Sequence, residues 1–348
     1  MYRFLRPLLF KLGPADAHAL AWDLLWLLEK DERLRELVSA TAHPSLRVRA
    51  MGLEFPGPVG LAGGLDKNGE RSRALAALGF GHIEVGTVTA LSQGPNPPPN
   101  LFRLPEDRAL INRLGFPNIG AAQVGARLRK GMLPCPLGIS IGKSRAVSLE
   151  PLSDVVDDYV KSLRAVKHAA DFMVVNISSP NTQGLRSLQT ADVARALLGR
   201  LREESDEVPL LVKLAPDLDD AAIDELCEVL KSAGCDGAVA TNTTISREGL
   251  RTPPDLVAAM GAGGLSGPPL HERALSVVSR VRAALGKELC VIGVGGISNA
   301  DQALAMLAAG ADLLQLYTAL IYEGPTLPRV IHNELSTRWK RQERQEGS

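Results

Sequence analysis

The stretch "VVNISSPNT", Val174 to Thr182, ends an apolar run in two hydroxyls, Ser178 and Ser179, bracketed by Asn176 and Asn181. It reads as the working end of a buried strand, yet it holds no His, Asp, Glu or Cys. Its hydroxyls have two uses: to cap a following helix, or to act on a substrate. A serine has a pKa far above 7, so as a base it needs a dry pocket and a relay that removes its proton. A second apolar run, "LLVKLAP", carries Lys213. A lysine flanked by apolar residues in a central strand must point somewhere polar. It can pair with a carboxylate in the mouth of the fold, form a Schiff base, or stand as fixed charge beside a developing anion, worth roughly 3 kcal/mol. Lys67, in "GLDKNGE", has similar alternatives: a receiver for a substrate carboxylate, or a solvated loop lysine.

Asn112, Asn176, Asn181 and Asn242 can both donate and accept hydrogen bonds. Four of them at strand ends or neighbouring loops suit a flat ligand with alternating N–H and C=O groups, such as a pyrimidine or isoalloxazine ring. "GAGGLSG" and "GVGGIS" are glycine-rich, and "YTAL" adds a hydroxyl near the end of the chain. Each glycine run alone could simply turn a strand into a helix. Together they point to one phosphate-bearing ligand held on backbone N–H groups. Neither is a Walker A sequence or a dinucleotide fingerprint in its proper context.

These residues need a frame. Apolar runs alternate with helical periods through "VGLAGGLD", "HIEVGTVT", "PLGISIGK", "FMVVNISS", "LLVKLAP", "DGAVATNTT", "CVIGVGGI" and "DLLQLYT". Helices are predicted between them, among them 152–169, 219–233 and 299–309, the last opened by a Ser/Asn cap and closed by a glycine. Continuous apolar strands alternating with helices argue for a parallel sheet buried on both faces. Eight such units close most simply into a (β/α)8 barrel of the α/β class, with chemistry at the C-terminal strand ends. Those ends are polar here: Asp66-Lys67, Gly86-Thr87, Ser140 to Lys143, Asn176 to Asn181, Lys213, Thr241 to Thr243, Gly295-Gly296 and Tyr317-Thr318. A hairpin is predicted before the first strand, in "LRVRAMGLEFPGP". Long connections, 90–116 and 245–269, follow the second and sixth strands and read as lids or ligand contacts.

The 348 residues carry zero formal net charge, so no domain-wide basic field invites nucleic acid. Cys135, Cys227, Cys235 and Cys290 form no CxxC pair or Cys/His cluster, which reads as reduced buried thiols in a cytoplasmic protein without a metal site. The N-terminus differs. "MYRFLRPLLFKLG" mixes apolar and basic residues, and "ADAHALAWDLLWLLEK" places Ala17, Leu20, Ala21, Leu24 and Leu28 on one helical face beside Trp22 and Trp26. Neither run reaches the ~20 apolar residues of a membrane span, and no cleavage site marks a signal peptide. The pair either packs on the main domain or dips its apolar faces into a membrane surface; the aromatic, leucine-rich faces with basic flanks favour the second.

The motifs "GLAGGLDKNGE", "EVGTVT", "LFRL", "INRLGFPN", "NISSPNT", "VKLAPDL", "ATNTT", "GGLSG", "IGVGGI" and "QLYTALIYEGP" strongly resemble class 2 dihydroorotate dehydrogenase, the flavin enzyme of pyrimidine synthesis that passes electrons to a membrane quinone. They run in order from about Met51 to Pro325. The resemblance implies FMN in the barrel mouth, held by Ala62, Gly63, Gly64, Leu65, Asp66, Thr87, Asn176, Lys213, Thr241, Gly267, Gly296, Tyr317 and Thr318. It implies dihydroorotate held by Lys67, Asn112, Arg113, Leu114, Gly115, Phe116, Asn176, Asn181, Asn242 and Thr243, with Ser179 as base. Ser179 takes a proton from one carbon while the flavin takes hydride from its neighbour, and Lys213 stabilises negative charge on the reduced flavin. It further implies that residues 1–40 form a docking extension for membrane and quinone, residues 41–348 the FMN barrel. The expected setting is the cytoplasmic side of a bacterial inner membrane, as a peripheral monomer. One departure stands out: where the family reads "GINIGKN", this chain reads "GISIGKS", with Ser140 in place of a flavin-contacting asparagine and Ser144 beside it. Ser140 is expected to keep a flavin contact, directly or through water, with altered flavin affinity.

Overall fold

In the computed structural model, which describes residues 2–40 and 42–346, the alternating apolar runs become the staves of a closed barrel. Three helices come first: α1 (Tyr2–Leu9), α2 (Pro14–Lys30) and α3 (Glu32–Val38). The two-helix reading of the N-terminus is thereby corrected. The Asp31 carboxylate accepts the N–H groups of Arg33 and Leu34, so the chain ends α2 and starts α3 at one residue. Met1, Thr41, Gly347 and Ser348, at the limits of the two expected regions, lie outside the described residues.

The expected hairpin follows as β1 (Val48–Ala50) and β2 (Leu53–Phe55). Then come β3 (Val59–Leu61), α4 (Ser72–Ala77) and β4 (Ile83–Val88). The first long connection carries β5 (Leu101–Leu104) and β6 (Ala109–Asn112), and α5 (Ala121–Arg127) leads on to β7 (Leu137–Ile141). Regular units follow: α6 (Leu152–Val166), β8 (Phe172–Asn176), α7 (Ala191–Glu204), β9 (Leu210–Leu214), α8 (Asp220–Ser232) and β10 (Gly237–Ala240). The second long connection holds α9 (Pro254–Met260) and β11 (Gly264–Ser266). The chain finishes with α10 (His271–Leu285), β12 (Cys290–Val294), α11 (Ala300–Ala308), β13 (Leu313–Leu316), α12 (Thr318–Glu323) and α13 (Leu327–Glu346).

The barrel order is β10-β12-β13-β3-β4-β7-β8-β9, all parallel, so the eight expected strands are the eight staves. Side chains alternate along each stave. Ile83, Val85, Met173, Val175, Val212 and Leu314 join the apolar layer shared with the helices. Their neighbours Phe172, Val174, Leu211, Val239, Ile292 and Leu313 pack inside, above Phe55 of the hairpin, which plugs the base. Helix starts follow local chemistry: Asp219 accepts the Ala222 N–H, and Asn299 accepts that of Gln302 at 2.9 Å. Gly310, at φ 111°, closes α11 as the sequence predicts.

The two long connections are not bare loops. β5 and β6 pair across a tight turn at Arg108, and β11 adds to β6 through Gly264↔Asn112, giving a three-stranded antiparallel sheet. This sheet brings Asn112 to the mouth of the barrel.

Candidate active site

Depth in the barrel decides what each inward side chain can do. At the C-terminal ends the apolar filling gives way to a cavity of about 960 Å³, a volume that includes space open to solvent. Ala62, Gly63, Gly64, Thr87, Asn176, Lys213, Thr241 and Tyr317, at or just beyond the strand ends, line it. So do Lys67, Asn112, Leu114, Gly115 and Phe116, with Ser179, Asn181, Asn242 and Thr243. Residues up to 255 positions apart in the chain, Ala62 and Tyr317, thus share one hollow.

The asparagines are organised, not loose. Asn176 donates to the Thr87 hydroxyl at 2.9 Å, and Asn242 donates to Asn176 Oδ1 and to Ser178 Oγ. Asn181 Nδ2 donates to Asn112 Oδ1 at 3.0 Å. That leaves Asn181 Oδ1 buried with no hydrogen-bond partner among the described residues, an acceptor awaiting a donor. Neither serine caps a helix. Ser178 is absorbed by Asn176 and Asn242, whereas Ser179 Oγ accepts only the Asn181 N–H, at 3.2 Å, and faces the cavity. Of the two readings of these hydroxyls, the helix cap is therefore excluded by position: the next helical turn begins only at Leu185.

Lys213 meets the carboxylate that one reading of it anticipated. Its ammonium lies 3.6 Å from Glu84 Oε1, with both side chains buried. Glu84 lines the cavity too and was missed by sequence reasoning. The signal was present in "HIEVGTVT", an acidic residue inside an apolar stave, the same kind of signal that singled out Lys213. Lys67 donates to the Gly64 carbonyl at 2.6 Å. Burial pulls its pKa down to about 8, with the Asp66 carboxylate opposing the shift.

Several named residues sit elsewhere. Asp66 turns into its own loop, where it accepts from the Glu70 and Arg71 N–H groups and the Ser72 hydroxyl; burial still pushes its carboxyl upward. Leu65 packs on the barrel's apolar layer. The Arg113 guanidinium faces away from the cavity, bonding the Pro99 and Ala262 carbonyls over the Phe102 ring. Ser140 is fully buried beneath the cavity and reaches it only through Thr87, hydroxyl to hydroxyl at 2.9 Å. Ser144 serves the lid: its hydroxyl accepts the Leu91 N–H. Gly267 and Gly296 border a smaller hollow with Arg108, Ser298 and Tyr322, and Thr318 donates to Ser266 beside it. Both glycines take left-handed backbone, φ 109° and 66°, and a Cβ on Gly296 would lie 2.7 Å from His271 Cβ, so only glycine turns the chain here.

Among the described residues, no group of three His, Cys, Asp or Glu is placed to hold a metal ion. The four cysteines are buried and unpaired, and burial raises each thiol, that of Cys235 to about 12.

Sequence and structure comparisons agree. The family described as dihydroorotate dehydrogenase matches residues 45–339. The chain is 52% identical over 309 residues to the dihydroorotate dehydrogenase (quinone) of Thermobifida fusca, covering 86% of this chain and 81% of that one. It is 49% identical over 339 residues to the protein of that name from Clavibacter michiganensis, covering 95% and 97%. A crystal structure of DHODH from Eimeria tenella in complex with ferulenol superposes with a TM-score of 0.84 at 33% identity, covering 95% of this chain and 92% of that one.

Proposed function

The chain belongs to the dihydroorotate dehydrogenase family, and on that premise we propose that it oxidises dihydroorotate to orotate in de novo pyrimidine biosynthesis, with FMN as its flavin and a membrane quinone as acceptor. The observation that carries the reading is one cavity on which Ser179, Lys67, Lys213 and four asparagines converge.

The donor set suits FMN. The Gly63-Gly64 wall and Ala62 leave room for a ring system, with Lys213 and Asn176 at one edge and Thr241 and Tyr317 at another. The adjoining glycine turns at Gly267 and Gly296, with Tyr317 and Thr318, would take the phosphate on backbone N–H groups. Bound there, FMN would supply hydride-accepting chemistry and onward electron transfer to quinone. Ser140 acts at one remove, through Thr87.

Dihydroorotate presents a carboxylate and a ring of alternating N–H and C=O groups. Lys67 would receive the carboxylate, and the unpartnered Asn181 Oδ1 would accept a ring N–H. Asn112, Asn176, Asn242 and Thr243 would hold the remaining edge, and Leu114 to Phe116 would cover it from the lid. Ser179 would take the proton from the ring carbon as its own hydroxyl proton passes to water in the cavity, which opens to solvent. The Asn181 N–H that its oxygen already accepts stabilises the charge left as the hydroxyl proton departs. Lys213 contributes fixed positive charge where negative charge accumulates.

The route to quinone runs on the side of the N-terminal helices. Trp22 of α2 donates to Glu70, and Arg71 donates to the Trp22 carbonyl at 3.2 Å, so α2 is joined to the loop that also carries Lys67. His18 lies close enough that burial, with the Lys67 charge, lowers its pKa. Phe4, Leu5, Leu8, Leu20, Leu24 and Trp26 are exposed on α1 and α2, and among the described residues no helix is long and apolar enough to cross a membrane. This surface supports peripheral attachment to a membrane, and we propose the cytoplasmic side of the inner membrane as its place.

The test is anaerobic mixing of the purified protein with dihydroorotate while flavin absorbance is followed. Bleaching that a quinone reverses is expected. A flavin that stays oxidised would point to another substrate, and failure to take up FMN would defeat the reading altogether.

A further inference from the structure

Inside the barrel, just below the cavity, an apolar filling is interrupted by one charged pair. Glu84 comes from β4 and Lys213 from β9, three staves apart, with side chains 1% and 7% exposed. Val174, Leu211, Val239 and Ile292 belong to the apolar filling of the same barrel. Stability gives no reason for the pair, since well-packed apolar residues usually serve a buried site at least as well as an ion pair. Its geometry is one-sided. Glu84 Oε2 accepts from Gln315 Nε2 at 2.7 Å. Glu84 Oε1 lies 3.6 Å from the Lys213 ammonium but has no hydrogen-bond partner among the described residues. A Cβ on Gly63 would lie 2.3 Å from that same oxygen, so the carboxylate reaches directly under the wall assigned to the flavin. Gln315 is in turn oriented from below. His82 is kept neutral, its pKa lowered to about 3 chiefly by burial, and its Nε2 lies 3.4 Å from the Gln315 amide nitrogen. An amide flanked by a carboxylate and a neutral imidazole nitrogen turns its N–H groups to both.

We propose that Glu84, aligned by Gln315, is a positioning residue that holds the Lys213 ammonium at the cavity floor and offsets its charge, thereby setting the potential of the flavin above it. This rests on the FMN reading. Lys213 alone would favour the negative charge that reduction brings to the cofactor. A carboxylate behind it draws the ammonium back and cancels part of its field, so electrons leave for the quinone more readily. Because the pair is held by charge and not by a hydrogen bond, the ammonium hydrogens remain available to the cavity.

The experiment is the midpoint potential of bound FMN, by spectroelectrochemical titration, in wild type, Glu84→Gln, Lys213→Met and the double variant. Glu84→Gln keeps the shape and an acceptor for Gln315. It should retain FMN and shift the potential upward, by the equivalent of about a tenfold gain for reduced over oxidised flavin, about 30 mV for two electrons. In the Lys213→Met background the same change should have almost no effect, because a buried carboxylate without its cation is protonated. An unmoved potential in Glu84→Gln, or an equal shift in both backgrounds, would overturn the inference. If Glu84→Gln purifies without flavin, Gln315→Met, which leaves the carboxylate in place, should give an upward shift; loss of flavin from both would mark the pair as structural and sink the idea. Wild type that binds no FMN defeats the functional reading instead.

Discussion

Among the described residues the Ser179 hydroxyl has one hydrogen-bond partner, the Asn181 N–H, and a face on the cavity. Ser179→Ala should therefore keep FMN yet slow flavin reduction by dihydroorotate by about 100-fold or more, the range of a lost general base. Reduction near the wild-type rate in stopped flow would refute the role. Lys67 allows a test by pH. Its pKa is lowered to about 8, so the free enzyme loses this charge as pH rises through about 8, and with it the attraction for a carboxylate. Since kcat/KM reports the free enzyme, it should fall about tenfold per pH unit above that point, while kcat holds because bound carboxylate keeps the lysine charged. Lys67→Met should be weak at all pH values and lose the fall; a fall that survives in it would exclude Lys67 as its source. Ser179, Lys213 and the asparagines were legible because polar residues interrupt apolar runs. Arg113 was not, because its chain neighbours Asn112 and Leu114 line the cavity while its own side chain turns to Pro99 and Ala262, a choice made by rotamer and not by spacing.

At the scale of elements, the barrel is closed by contacts that no local pattern reveals. β13 pairs with β3, and α13 locks the join: His332 Nε2 accepts the Val59 N–H at 3.1 Å. Burial lowers His332 to about 4, as it lowers His82 to about 3. Both are below the ordinary value of about 6.5, so below that pH the unfolded chain binds more protons than the folded one. Stability from this source is at its full value above about pH 6.5 and falls as pH drops towards about 4 for His332 and about 3 for His82; by pH 5 the loss amounts to about 2 kcal/mol for each. His332→Gln preserves an acceptor for Val59 but has no such titration. Urea unfolding at pH 7 and 5 should show a smaller loss for His332→Gln than for wild type, and equal losses would refute the assignment. The eight staves were readable as apolar runs of three to six residues between helical periods. The β5-β6-β11 sheet was hidden because its strands lie inside two separate long connections and its decisive pairing joins Asn112 to Gly264. The third N-terminal helix was hidden by Asp31, whose single carboxylate ends one helix and begins the next.

Across the whole molecule, apolar exposure is unevenly spread. Phe4 and Leu37 are 85% and 82% exposed, and most large apolar side chains left in water lie on α1, α2 and α3. Yet these helices are not loose. Tyr2 donates to the Ile321 carbonyl, Arg6 to that of Tyr322, and Glu29 accepts the Ala74 N–H at 2.9 Å. A surface both apolar and firmly mounted suits a membrane better than a flexible tether would. Each such side chain that enters the acyl boundary contributes about 1.5–3 kcal/mol. Phe4→Glu, Leu8→Glu and Leu37→Glu combined should weaken binding to anionic lipid vesicles by at least about tenfold in a sedimentation assay. Flavin reduction by dihydroorotate should be unchanged, since none of the three lines the cavity. Removing residues 1–40 should cut turnover with a long-chain quinone in vesicles far more than flavin reduction. Equal losses in the two half-reactions would mean that the helices support the barrel fold and not the delivery of electrons to the membrane.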